Sequence, residues 1–253
     1  MWWRLYKKEL LGHRGEILLA GAFVVWTLFL LSRVGVWQSE VIVAVYWLPS
    51  GFLPFWTLWT AVQLYRQEWR ENTSYLMLSL PVRAWMITSA KLAALLTGVI
   101  GYSLLIGAGG WLLFARTGLL AAVRQVEIVS LVPVEWLVKM ALLGYLWMIG
   151  ALGMLGLIAQ FAFVFSRLFA RWQGLAMAWT WVLIIWLMGR FGDIGGRLLA
   201  WLPDFKFRVL HMVAGAPEFR VVTVESGPFW ALVLFAAGLF ALLNVTLERA
   251  VEV

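Results

Sequence analysis

The sequence predicts an all-α membrane protein: an N-terminal interfacial amphipathic helix followed by six transmembrane helices, with both termini cytoplasmic. Three observations predict it. Of 253 residues, 63% are hydrophobic and only 13% charged, whereas a soluble domain carries about half apolar and about a quarter charged residues. The apolar residues also fall in long uninterrupted runs, as a bilayer requires. Finally, the chain holds 18 Trp, a residue that gathers at membrane–water interfaces, where its ring is half wet.

The first element is a helix over 1–15. On a helical wheel Trp2, Trp3, Leu5, Tyr6 and Leu10 share one side, and Arg4, Lys7, Lys8 and Arg14 share the other. Aromatic rings in the headgroup layer and cations beside phosphate make an interfacial anchor, for which Trp2, Trp3, Arg4, Tyr6, Lys7 and Lys8 are the candidate residues. Three residues spoil the pattern: Glu9 and His13 lie toward the apolar side and Leu11 toward the basic one.

Six stretches follow that reach the ~20 apolar residues needed to span a bilayer: roughly 17–37, 41–64, 86–114, 136–165, 174–190 and 228–247. The first is longer than the apolar core of a signal peptide and has no small-residue cleavage pattern after it, so it reads as a permanent span. Pro49 and Pro54 interrupt the second span; proline there kinks the rod and frees backbone carbonyls, which makes both candidates for a pathway or gate. Gly98 and Gly101 in the third span and Gly150, Gly153 and Gly156 in the fourth permit close helix packing. Lys139, an intramembrane cation, is a further pathway candidate, though Glu135 one turn earlier explains it as a local pair. Lys91 and Arg33 are read as snorkelling to opposite interfaces. No interval between spans holds a soluble domain, so residues 1–253 are expected to form one transmembrane domain. The stretch 191–227, broken by Pro203 and studded with charge, is expected to form an external loop with short or re-entrant helices.

Orientation rests on Lys and Arg. With the N-terminus inside, eleven of them lie on the cytoplasmic side and eight outside, and the early segments point clearly inward. The net charge of +7 is accounted for by span-end cations facing anionic lipid, so membrane lipids are the expected partner and nucleic acid is not. With no cysteine in the chain, disulfides, thiolate metal sites and a thiol nucleophile are excluded.

The interval between the second and third spans carries the most chemistry. Trp69, Thr73, Leu76 and Leu80 recur at helical spacing, Arg66, Glu68, Arg70 and Glu71 cluster in the first turns, and Pro81 ends the run. A short cytoplasmic helix over 66–80 is expected, suited equally to docking in a partner's groove or to lying on lipid.

The string Glu68-x-x-Glu71-Asn72-Thr73, then Leu76-Met77-Leu78-Ser79-Leu80-Pro81-Val82, then Lys91, resembles the cytoplasmic signature of type-2 ABC transporter permeases. That signature reads approximately Glu-x-x-Glu-Gly-Thr, several leucines, Ser-x-Pro-Val-Ser-Arg, and a Lys opening the next span. Asn72 stands in place of Gly, and Arg83 follows Val82 with no Ser between. The ending Leu247-Glu248-Arg249-Ala250-Val251-Glu252-Val253 is similar to the Leu-Glu-Arg-Lys-Val-Glu-Val tail of the same family, with Ala250 replacing Lys. The resemblance implies an elbow helix, six spans and a coupling helix over 66–80, with Glu68, Trp69, Glu71, Thr73, Leu76 and Leu80 meeting a cytoplasmic ABC ATPase subunit. A second permease copy, or a homologous permease, would complete the unit. ATP and Mg would belong to the ATPase, because this chain has no Gly-x-x-x-x-Gly-Lys-Ser/Thr phosphate loop. The implied function is the permease subunit of an exporter in the cell membrane, not an enzyme in itself.

An ion- or proton-coupled secondary transporter is the alternative. It would require a carboxylate or His near mid-membrane, and none of the thirteen acids is placed there. An intramembrane enzyme would need His, Asp or Glu clustered at membrane depth; His13 and His211 both lie outside the spans, so no catalytic or metal site is assigned. An accessory or immunity membrane protein is also compatible with the composition.

Overall fold

The computed structural model describes residues 1–33, 39–70, 83–117, 133–169, 171–213 and 216–251. Their helices are α1 (Trp2–Gly12), α2 (Arg14–Arg33), α3 (Ser39–Gly51), α4 (Leu53–Arg70), α5 (Ala84–Arg116), α6 (Val134–Ser166), α7 (Gln173–Leu198) and α8 (Gly227–Val251). Between α7 and α8 stand two strands, β1 (Phe205–Val213) and β2 (Ala216–Val224). Six segments are long and apolar enough to cross a membrane: α2, α3 with α4 as one span from Val41, α5, α6, α7 and α8. The chain is therefore a multi-pass helical membrane protein. Its helices run a few residues past the apolar stretches at nearly every described end, because charged termini such as Arg14, Arg70 and Arg116 continue the backbone bonds beyond the hydrocarbon.

The described residues of 1–156 form one compact unit and those of 157–253 another. In the first, Val24, Leu31, Ile42, Tyr46, Leu53, Val99, Tyr102, Ile106, Leu113 and Leu152 make a continuous apolar core centred on α5. Lipid tails are as apolar as leucine, so close approach of the helices has to come from shape. Large rings therefore sit over missing side chains. Trp56 lies on Gly98, Tyr46 on Gly109, Trp47 on Gly110, and Leu95 on Gly156. Gly153 is likewise closed by Leu96. Among the described residues Gly101 and Gly150, expected to serve the same purpose, face nothing within 4 Å, while Gly109 and Gly110 do serve it without having been expected to.

The second span is broken where its prolines require. Pro49 lies inside α3, the helix ends at Gly51, and α4 begins at Leu53. Pro54 has no N–H for the carbonyl of Ser50, and its ring crowds that carbonyl. The chain recovers at once, with Phe52 N–H donating to Pro49 O at 3.1 Å and Trp56 N–H to Phe52 O at 3.0 Å.

In the second unit α7 and α8 approach closely where Gly195 meets Ala231 and Gly196 meets Gly227 and Pro228. Between them the chain departs from expectation. The mostly helical chain is compatible with the all-α expectation, but where short or re-entrant helices are expected over 191–227, α7 continues to Leu198 and residues 205–213 pair antiparallel with 216–224, Phe205 opposite Val224 and Val209 opposite Arg220. The pattern Phe205-Lys206-Phe207-Arg208-Val209 alternates with period two, and β2 is rich in β-branched residues; both favour a strand over a helix. One face gathers Phe205, Phe207, Val209, Val222 and Val224, and the ring of Phe205 meets Phe229 of α8 edge-on at 5.6 Å.

Gly109→Ala is expected to lower stability by about 1–3 kcal/mol, because its methyl would occupy the place of the Tyr46 hydroxyl. Gly101→Ala should be neutral or raise stability by up to ~1 kcal/mol through helix propensity. Thermal unfolding in detergent compares the two.

Candidate functional site

Lys91 lies seven residues into α5, about 10 Å along at 1.5 Å per residue. It is fully buried, so the expected snorkelling to an interface does not occur. Its ammonium has three N–H groups and meets three oxygens: Glu9 Oε1 at 3.0 Å, Glu68 Oε1 at 3.0 Å and the carbonyl of Leu64 at 2.7 Å. The ring of Tyr65 lies 5.0 Å below the same nitrogen, a cation–π contact. Lys8 completes the group, with its ammonium 3.0 Å from Glu68 Oε1 and 3.6 Å from Glu9 Oε1. Two lysines and two glutamates thus share one site, and their formal charges cancel.

Three elements supply it. Glu9 comes from the last turn of α1, Leu64, Tyr65 and Glu68 from the end of α4, and Lys91 from the start of α5. The two ends of α4 and α5 that flank residues 71–82 are therefore bound to each other and to α1. Neighbouring contacts hold α1 in place: Trp2 Nε1 donates to Ser89 Oγ at 2.9 Å, and Tyr6 and Thr97 share a hydroxyl bond of 2.9 Å. Trp2 and Tyr6 stack at 5.6 Å with an interplanar angle of 4°. Of the other anchor candidates, Trp3, Arg4 and Lys7 are exposed.

Glu68, expected at the ATPase contact, instead has one oxygen committed to this buried cluster. Arg66–Arg70, expected to open a separate short helix, is the last turn of α4. Trp69 packs on Tyr65 with ring centroids 6.1 Å apart. Glu71, Thr73, Leu76 and Leu80 lie outside the described residues. Pro49 sits at the α3–α4 break beside an open groove, with Pro54 in the first turn of α4. Lys139 pairs with Glu135 at 2.7 Å on an exposed surface.

Glu9 and Lys91 as a pair were missed from sequence. The signal was present: Glu9 and His13 lay on the wrong side of the α1 wheel, and both are buried. Glu9 meets Lys91, and His13 Nδ1 lies 3.2 Å from Glu16 Oε2. Among the described residues no group of three metal-ligating side chains converges. For Lys8, burial lowers the ammonium's pKa, but the charges of Glu68 and Glu9 outweigh it and raise the group above its ordinary 10.5.

No protein-family model, no curated protein and no solved structure matches this chain.

Removing Lys91 with Lys91→Met leaves Glu9 and Glu68 buried beside the half-exposed Lys8, at an expected cost of about 3–5 kcal/mol. Lys139→Met, which breaks an exposed pair, should cost under ~1 kcal/mol. Chemical unfolding of the two variants checks the contrast. Because the Lys8 pKa is raised, its contribution to stability is whole below pH 10.5 and falls as pH climbs through the folded value. A Lys8→Met variant should therefore differ from the parent by a constant amount across neutral pH.

Proposed function

We propose that the chain is the permease subunit of an ABC exporter in the cell membrane, with its N- and C-termini in the cytoplasm. One observation carries the reading: the buried cluster of Glu9, Glu68 and Lys91 binds together the two helix ends that flank residues 71–82. The sequence of that interval resembles a permease coupling signature. A force applied there by an ATPase would reach α1, α4 and α5 as one body, because a buried charge cannot leave its partners without a large penalty. This is coupling by rigid-body motion, in which nucleotide is hydrolysed by the separate subunit and this chain performs no covalent chemistry.

Six span-capable helices and an N-terminal helix lying against the third of them support the same reading. The exposed apolar faces of α2, with Leu19, Phe23 and Trp26, and of α7, with Trp179, Val182 and Trp186, provide surface for lipid and for a second permease copy. A proton-coupled mechanism would place ionisable groups near mid-membrane, whereas Glu9, Glu68 and Lys91 gather at helix ends.

The test is co-purification of the chain with an ABC ATPase, followed by Thr73→Asp and Leu76→Asp. Both substitutions are expected to abolish stimulation of ATP hydrolysis by substrate while the six-span fold persists. Transport that continues unchanged in these variants, or proceeds with no ATPase bound, overturns the proposal.

A further inference from the structure

A groove of about 620 Å³ opens on the surface of the first unit, lined by Glu16, Ala20 and Phe23 of α2, Pro49 and Phe52 at the α3–α4 break, and Trp56, Trp59 and Tyr102. Its existence follows from two features already described. The proline break interrupts the second span at Phe52, between Gly51 and Leu53, and Gly98 lets Trp56 sink against α5, where its ring stacks on Tyr102 at 5.7 Å and 22°. Its size is that of a site for a drug-sized molecule.

Its chemistry is one-sided. Five of the lining side chains are aromatic (Phe23, Phe52, Trp56, Trp59 and Tyr102), and the one ionisable side chain with a formal charge is the carboxylate of Glu16. Glu16 is about one-third exposed. Its Oε2 faces His13 Nδ1 at 3.2 Å, and among the described residues its Oε1 has no hydrogen-bond donor. Among the described residues no lysine or arginine lines the groove. Aromatic faces carry negative potential and attract cations, and a carboxylate in a poorly hydrated setting does so more strongly than in water. An acyl chain would use the apolar wall but neither the carboxylate nor the ring faces.

We propose that this groove is a binding site for lipophilic organic cations, with the cationic centre toward Glu16 and the apolar body between Phe52, Trp56 and Trp59. The site needs no ATPase, so its test is separate from that of the transport reading.

The full chain in phosphatidylcholine nanodiscs is titrated with tetraphenylphosphonium and with tetraphenylborate, ions of nearly equal size and opposite charge. Saturable binding of the phosphonium alone is expected. Glu16→Gln should weaken it about tenfold, a modest figure because the carboxylate is partly exposed. Trp59→Leu, which keeps apolar bulk but removes a ring face, should weaken it severalfold. Unfolding midpoints identify any variant that has lost its fold, and the comparison of the two ions in the parent protein needs no variant at all. Equal binding of both ions, no saturable phosphonium binding, or an unchanged affinity in folded Glu16→Gln overturns the proposal and leaves the groove as a slot for lipid tails.

Discussion

An ammonium removed from water must find its hydration elsewhere, and Lys91 finds all of it in protein oxygen. The energy of taking one charge out of water runs to several kcal/mol even after relaxation, so the three acceptors around Lys91 are a constraint on the chain and not an ornament of it. Glu9 reaches the site only if α1 lies along α5, and Glu68 only if α4 is helical to its last turn. The rings of Trp2 and Tyr6 then fall beside Ser89 and Thr97. The position of the amphipathic helix is thus fixed by its one acidic residue, and its aromatic side follows.

Away from that site the helices are held by shape. Hydrocarbon offers no preference for helix over lipid, so contact has to be denser than a lipid tail could make it. Rings laid on glycine achieve this: Tyr46 over Gly109, Trp47 over Gly110 and Trp56 over Gly98. All three glycines lie on α5, which makes α5 the grooved surface against which α3 and α4 are set. The abundant Trp therefore has two duties. Trp56 packs inward, while Trp59, Trp111 and Trp179 remain exposed, as residues facing lipid or an interface would.

The fold was largely legible because its dominant signal, apolar length, depends on no tertiary contact. The six spans, the break at the prolines and the separate N-terminal helix could all be read in that way. What stayed hidden depends on pairing across the chain. Lys91 read alone is a snorkelling cation; it is buried because Glu9, 82 positions away, joins Glu68 and the Leu64 carbonyl around it. The glycine expectations divided for the same reason, since Gly101 and Gly109 are alike in sequence and differ only in what faces them. The hairpin was missed because cations and Pro203 drew notice while the period-two alternation of Phe205 to Val209 did not. For the lysine and the glycines the local composition is legible and the partner is not; for the strands the local alternation itself carries the signal.

α4 connects the two sites. Trp56 and Trp59 line the groove near its start, and Leu64 and Glu68 hold the lysine near its end. From Trp56 to Glu68 is twelve residues, about 18 Å of continuous helix at 1.5 Å per residue. A helix of that length bends little without a proline or a bulge, and α4 has its proline at the groove end, in its first turn. Displacement of the Glu68 end would therefore arrive at the groove as rotation about the α3–α4 break, with Phe52 and Pro49 at the pivot. If displacement of that end changes the affinity of the groove for an occupant, linkage makes the effect reciprocal: binding between α2 and α4 would then bias the lysine cluster by the same free energy that motion of the cluster would impose on the occupant.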